Sequence, residues 1–160
     1  MSHGYNILSG AESAIRASTT FANANIFQRE ELSDDDLPGA PVLINVYLYP
    51  LGVKPKDTVD AHKFTVHQTA CLIVFLEEYR AADEHGRDVV LEKKFDYNDA
   101  AITALRLNMP DQTYEISNIY QVDYRSTDYN PGVSAEIAGK ADAGGLHRLL
   151  QVWEYHAYES

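Results

Sequence analysis

Two long segments of alternating apolar residues constrain the fold of this chain more than any other feature. Residues 41–49 (PVLINVYLY) and 62–79 both show the period of two that is typical of β-strands. Apolar residues fall on both faces of the first segment and of the second half of the other, as in strands covered on two sides. The sequence therefore predicts two central strands. Pro50 and Gly52 predict the end of the first, and 54–61 is predicted to be a loop or hairpin connection.

Weaker alternation predicts further strands near both ends of the chain. Residues 24–28 fit a short strand, and 133–137 is compatible with another. Residues 114–125 predict a half-buried antiparallel strand with Tyr120 and Val122 on one face and Ile119 on the other.

The last segment, 146–158, fits two structures. As a helix it presents an apolar stripe, and as a strand its residues alternate. Its aromatic and β-branched residues, and the Gly144-Gly145 pair before it, favour the strand.

Two helices complete the predicted fold. Residues 6–19 and 89–108 have helical apolar spacing, and Asn98 or Asp96 is predicted to cap the second helix. Runs of strands separated by helices indicate an α+β fold with a mainly antiparallel sheet of about 4–5 strands and the two helices on one face. Without a linker or repeat, residues 1–160 are expected to form a single domain.

Charge and cysteine content exclude several classes of function. The net charge of −11, with scattered Lys and Arg, argues against nucleic-acid binding and against docking to an anionic membrane. The single cysteine, Cys71, lies in an apolar run and is predicted to be a core residue rather than a nucleophile. The N-terminus lacks a signal-peptide pattern, and no apolar run is long enough to span a membrane, so we expect a cytosolic chain.

Motifs for catalysis and metal binding are missing from the sequence. The run Asp34-Asp35-Asp36 does not have the ligand spacing of a calcium loop, and the six histidines do not have zinc-site spacing. Serine-elbow and phosphate-binding glycine patterns are also absent. The sequence therefore predicts no catalytic residue, no metal and no cofactor. With 24 acidic residues, a hydrolase site built on two carboxylates stays open as an alternative.

Two features favour a protein that packs against other subunits. The chain has 11 tyrosines, which suit subunit interfaces and strand-rich domains equally. Its strands are apolar on both faces, and in a small acidic domain such surfaces are often completed by a neighbouring subunit. These features predict an assembly protein.

The order of elements resembles that of the tail terminator proteins of bacteriophages and related contractile injection systems. In that family a short amphipathic helix leads through an acidic turn with Leu-Pro into a central strand, followed by a long strand, a helix and an alternating C-terminal strand. The segment 43–49 is also similar to the first strand of the cap proteins of extracellular injection systems. The matching segments here are 7–17, 34–38, 42–49, 64–75, 100–107 and 149–158.

The resemblance implies a subunit of a hexameric ring that caps the tail tube and joins it to the head-proximal neck. The implied partners are further copies of the chain, the tube protein, a neck protein and the sheath, in the host cytoplasm during assembly and then in the virion tail. Another neck or baseplate adaptor is the alternative. Candidate contact residues lie in two connections, 30–37 and 52–61; they are Glu30, Glu31, Asp34, Asp35, Asp36, Lys54, Lys56 and Asp57.

Overall fold

A computed structural model describes residues 3–28, 44–59, 62–77, 84–107, 119–131 and 146–159. The described part contains two α-helices, one short 3-10 helix at Thr19–Phe21, and five strands. The helices are α1 (His3–Arg16) and α2 (Glu84–Leu107); the strands are β1 (Asn25–Gln28), β2 (Ile44–Val59), β3 (His62–Leu76), β4 (Ile119–Asp128) and β5 (Leu146–Glu159).

The five strands form one mixed sheet in the order β1-β2-β3-β5-β4. β1 is parallel to β2, whereas the pairs β2–β3, β3–β5 and β4–β5 are antiparallel. The α+β class and the mainly antiparallel sheet are therefore confirmed. The strand prediction for 146–158 is also confirmed, because β5 pairs with β3 along its whole length.

Both helices pack on one face of the sheet. α1 contributes Ile7 and Ile15 to the core, and α2 contributes Leu105. These side chains meet buried residues of the central strands, including Ile73 and Trp153. Each apolar side chain of this size stabilises the fold by about 1.5–3 kcal/mol when it is fully buried. This face holds the larger of the two hydrophobic clusters.

The opposite face of the sheet carries a second, smaller cluster. Tyr47, Leu72 and Val74 are buried there, with Tyr49 packed beside them. The rings of Phe27 and Tyr47 stack with their centroids 5.4 Å apart. The two-sided apolar pattern of the central strands therefore corresponds to burial on both faces.

The first central strand is longer than predicted. β2 continues through Pro50 and Gly52 to Val59, so the prediction of a loop at 54–61 is wrong for residues 54–59. Register shifts occur between Pro50 and Gly52 and between Pro55 and Thr58. A proline lacks a backbone donor, and irregular places in the ladder of an edge strand tolerate it.

The second helix begins at Glu84, five residues before the predicted start at residue 89. Asn98 and Asp96 lie inside α2 and do not cap it. Asn98 is buried, and its side-chain oxygen accepts hydrogen bonds from two strands of the sheet. The Asn98 side chain therefore bonds to residues distant in sequence and does not act as a local helix cap.

A bulge changes the predicted faces of β4. The register shifts between Ile119 and Gln121, so Ile119 and Val122 both face the helix-side core while Tyr120 is exposed. The prediction that Ile119 lies on the face opposite Val122 is therefore wrong. The acidic segment 30–37 and the short strand at 133–137 fall outside the described residues.

Candidate functional site

At the β1 edge of the sheet, the hairpin of β2 and β3 continues past the end of the short strand β1. β1 pairs with β2 from Asn45 to Leu48. Beyond Leu48, no strand in the described part of the chain pairs with the outer edge of β2, while its inner edge stays paired with β3 as far as Val59. We call residues 51–59 and 62–68 the arm.

Two apolar side chains of the arm are exposed to solvent. Leu51 is 45% exposed and Val53 is 59% exposed. Val53 lies opposite His67 in the hairpin, so its exposure arises on a paired strand and not on a chain terminus. Exposed apolar side chains that lie close together are typical of interaction surfaces.

The arm differs in charge from the rest of the protein. Together with residues 60 and 61, which join its two strands, the arm contains three lysines and two aspartates, a net charge of +1, whereas the whole chain has −11 and the remaining residues therefore carry −12. Like charges repel two copies of such a body at most orientations. An acidic partner is therefore repelled less by the arm than by the rest of the chain.

The structure separates the two groups of predicted contact residues. Lys54, Lys56 and Asp57 lie in the arm, within a strand and not within a loop. Lys54 is exposed and borders a small cleft of 190 Å³ together with Gly52 and Val66. Glu30, Glu31, Asp34, Asp35 and Asp36 fall outside the described residues.

A cluster of ionisable side chains lies at the other edge of the sheet, on the face away from the helices. The Asp123 carboxylate accepts hydrogen bonds from Gln121 Nε2 at 2.8 and 2.9 Å and lies 2.9 Å from His156 Nε2. Arg125 Nη2 lies 2.8 Å from Glu154 Oε2 and 3.3 Å from Asp123 Oδ2. β4 and β5 bring these residues together because Asp123 pairs with Glu154 in the ladder.

The donor set of this cluster could in principle hold a metal ion. Asp123, Glu154 and His156 each offer one ligand atom, and these atoms lie within 4.8 Å of one another. Carboxylate and imidazole ligands suit divalent transition metals. However, the guanidinium of Arg125 already contacts both carboxylates and supplies the positive charge that a metal would bring. We interpret the cluster as an ion-pair network that joins β4 to β5.

The pKa of Asp123 supports this interpretation. Burial raises the pKa, but hydrogen bonds from Gln121 and His156, together with the charge of Arg125, outweigh burial and hold the pKa below its ordinary value. A general acid needs the opposite shift, toward the working pH. Asp123 is therefore suited to an ion pair and not to proton donation near neutral pH.

The lowered pKa of Asp123 predicts a loss of stability in acid. Because the folded state holds this carboxylate ionised, its contribution is fully present above the pKa of the unfolded chain and disappears as the pH falls through the lower folded pKa. We expect the free energy of unfolding, measured by urea titration, to fall between pH 7 and pH 3. The fall should be steeper for the wild type than for Asp123→Asn. The exposed Asp99→Asn is the matched control. Parallel curves for wild type and Asp123→Asn would contradict the prediction.

Two buried polar side chains link α2 to the sheet. Gln151 Nε2 donates to the Asn98 side-chain oxygen at 2.9 Å and to its backbone oxygen at 3.0 Å. Trp153 Nε1 donates to Gln151 Oε1 at 2.9 Å, and the Thr127 hydroxyl donates to Asn98 at 2.6 Å. These polar groups satisfy one another inside the core, so the network positions the helix.

Cys71 is a core residue, as predicted. Its side chain is buried in the helix-side cluster, and burial raises the pKa of the thiol to about 12. We expect the native protein to react with an aromatic disulfide reagent at least roughly a hundredfold more slowly than the urea-unfolded chain, since the thiolate is the reacting form. Equal rates in the two states, measured by absorbance, would show that Cys71 is accessible.

A shallow groove of 540 Å³ runs between the end of α1 and the middle of α2. Alanines and hydroxyl side chains line it, with Asp99 at one side. No cluster of convergent charged groups lines this groove in the described residues, so it does not define a reaction.

The ion-pair cluster was missed from the sequence, although one signal was available. Glu154 and His156 are two residues apart on a predicted strand, so they had to share a face. The partner Asp123 could not be assigned, because it lies 31 residues before Glu154 and the register between β4 and β5 depends on a bulge between Ile119 and Gln121. In contrast, His147 and His156 are nine residues apart in the unbroken register of β5 and therefore lie on opposite faces of the sheet.

Comparison with models of known protein families finds no match, and comparison with curated protein sequences finds no matching protein. In the described residues, no helix is long and apolar enough to cross a membrane.

Proposed function

We propose that this chain is a structural subunit that assembles with copies of itself into a ring of the tail terminator type. The arm is the observation that carries the proposal. It is a hairpin, paired apart from two register shifts in β2, with two exposed apolar side chains, Leu51 and Val53, and with an outer strand edge that no described strand covers. An exposed strand edge that carries apolar side chains suits a contact between subunits better than it suits chemistry.

The chemistry of the described side chains supports the absence of catalytic activity in this proposal. The ionisable cluster of Asp123, Glu154 and His156 contains its own counter-ion, Arg125, and the pKa of Asp123 is lowered. The buried network around Gln151 is satisfied from within the fold. In the proposed role, the ring caps the tail tube, meets a neck protein and the sheath, and becomes part of the virion tail after assembly in the host cytoplasm.

The proposal is tested by the mass of the purified chain across a concentration series, measured by light scattering. We expect a shift from the 17.9 kDa monomer to one discrete higher mass as the concentration rises. A mass that remains that of the monomer up to millimolar concentration would refute self-assembly.

Val53→Glu is expected to weaken this assembly. The substitution places a carboxylate on the most exposed apolar side chain of the arm, where a partner would have to bury it. We expect the concentration needed for assembly to rise roughly tenfold or more, with little change in the stability of the monomer. Tyr5→Glu, at an exposed aromatic residue on α1, is the matched control and should assemble like wild type. Wild-type assembly by Val53→Glu would exclude the arm from the contact.

A further inference from the structure

We propose that the arm of one copy docks on the outer face of α2 in the next copy. This inference depends on the self-assembly proposed above and names the two surfaces that meet. The proposed occupant of the α2 surface is therefore a second copy of this chain.

The outer face of α2 presents an apolar pair bordered on one side by acids. Leu91 is 48% exposed and Phe95 is 46% exposed, and the two lie one helical turn apart. Glu92, Asp96 and Asp99 are exposed on the neighbouring stripe of the same helix. The ring of Phe95 is held edge-on by Tyr129 at 5.3 Å, so the aromatic surface is fixed in place. We call Leu91, Glu92, Phe95, Asp96 and Asp99 the α2 patch.

The arm and the α2 patch are complementary in both polarity and charge. Each presents two exposed apolar side chains, and together these account for four of the six large apolar residues that are exposed within the described ranges. The exposed apolar pair of the arm is followed by Lys54, whereas that of the α2 patch is bordered by carboxylates. Apolar contact with opposite charge at the rim is the usual composition of a specific protein interface.

The two surfaces lie toward opposite ends of the sheet, so a single copy cannot bring them together. Val53 pairs with His67, near the start of β3. Lys93, between Leu91 and Phe95 in sequence, contacts Glu77, which follows the end of β3. Ten residues of extended strand separate His67 from Glu77, which corresponds to roughly 33 Å. The proposed contact thus joins two different surfaces of neighbouring copies, and when it is made head-to-tail such contacts build rings if the rotation between subunits closes.

Mixing two variants tests the head-to-tail contact. Val53→Glu damages the arm and leaves the α2 patch intact, whereas Phe95→Glu does the reverse. Each variant alone should need roughly tenfold or more protein to assemble than wild type does. An equimolar mixture should instead give a 1:1 dimer of twice the 17.9 kDa monomer mass, because each pair retains one intact contact and cannot extend. Circular dichroism checks that both variants are folded.

A charge-reversal pair keeps the proposal testable if Phe95→Glu does not fold. Lys54→Glu and Glu92→Lys should each weaken assembly, and the double variant should recover at least part of the loss.

The remaining outcomes separate the two proposals. Assembly of Phe95→Glu at wild-type concentrations would overturn docking on α2 and leave self-assembly standing. A variant mixture that stays monomeric would also overturn it, since an intact arm and an intact α2 patch would then fail to bind each other. A wild-type chain that is monomeric at every concentration would overturn self-assembly itself.

Discussion

Replacing Trp153 with alanine is expected to lower the free energy of unfolding by about 3–5 kcal/mol. Trp153 is completely buried, and its ring lies 5.4 Å from that of Tyr124 in the helix-side core. Removing the indole leaves a large cavity and also leaves Gln151 Oε1 without its 2.9 Å donor. Because small domains are stable by about 5–15 kcal/mol, this one change removes a large part of the total.

The measurement is urea unfolding followed by far-ultraviolet circular dichroism, since Trp153 is the single tryptophan and the variant has no indole fluorescence. Trp153→Phe is the matched control. It keeps most of the apolar contact and loses only the N–H donor, so we expect a loss of about 1–3 kcal/mol. A loss below 1 kcal/mol for Trp153→Ala would show that this part of the core is not packed as described.

Asn98→Ala is expected to lower the free energy of unfolding by about 2–3 kcal/mol, because it removes one side chain that accepts from a buried donor and from a half-buried donor. Its side-chain oxygen accepts from Gln151 at 2.9 Å and from Thr127 at 2.6 Å. Gln151 keeps the backbone oxygen of residue 98 at 3.0 Å, which limits the loss.

Asp99→Ala is the control for Asn98→Ala, because it changes the next residue of the same helix at an exposed position. Alanine has the higher helix propensity in both cases, so propensity alone predicts a small gain in stability. Equal stabilities of the two variants in urea titrations would mean that the network does not hold α2 on the sheet.

Much of the fold could be predicted from the sequence where local pattern determines structure. β3 and β5 were found because their side chains alternate over more than ten residues. The class of fold followed from the order of strands and helices. The extension of β2 could not be predicted, since Pro50, Gly52 and Pro55 oppose a strand locally and only pairing with β3 maintains it.

The functional surfaces depend even more on contacts between distant residues. Asn98 has the sequence pattern of a cap, yet its partner Gln151 lies 53 residues away. Lys54 was identified as a contact residue, but it was placed in a loop. Leu91 and Phe95 lie beside the stripe of α2 that is buried at Val90, Ala101 and Leu105, and their exposure depends on how the helix packs on the sheet.

Imaging of individual particles tests the central proposal, self-assembly into a ring, most directly. Wild-type protein above its assembly concentration, viewed in negative stain, is predicted to show closed rings with one uniform number of subunits, about six by the family resemblance. Particles the size of one subunit, or open filaments of variable length, would contradict the ring.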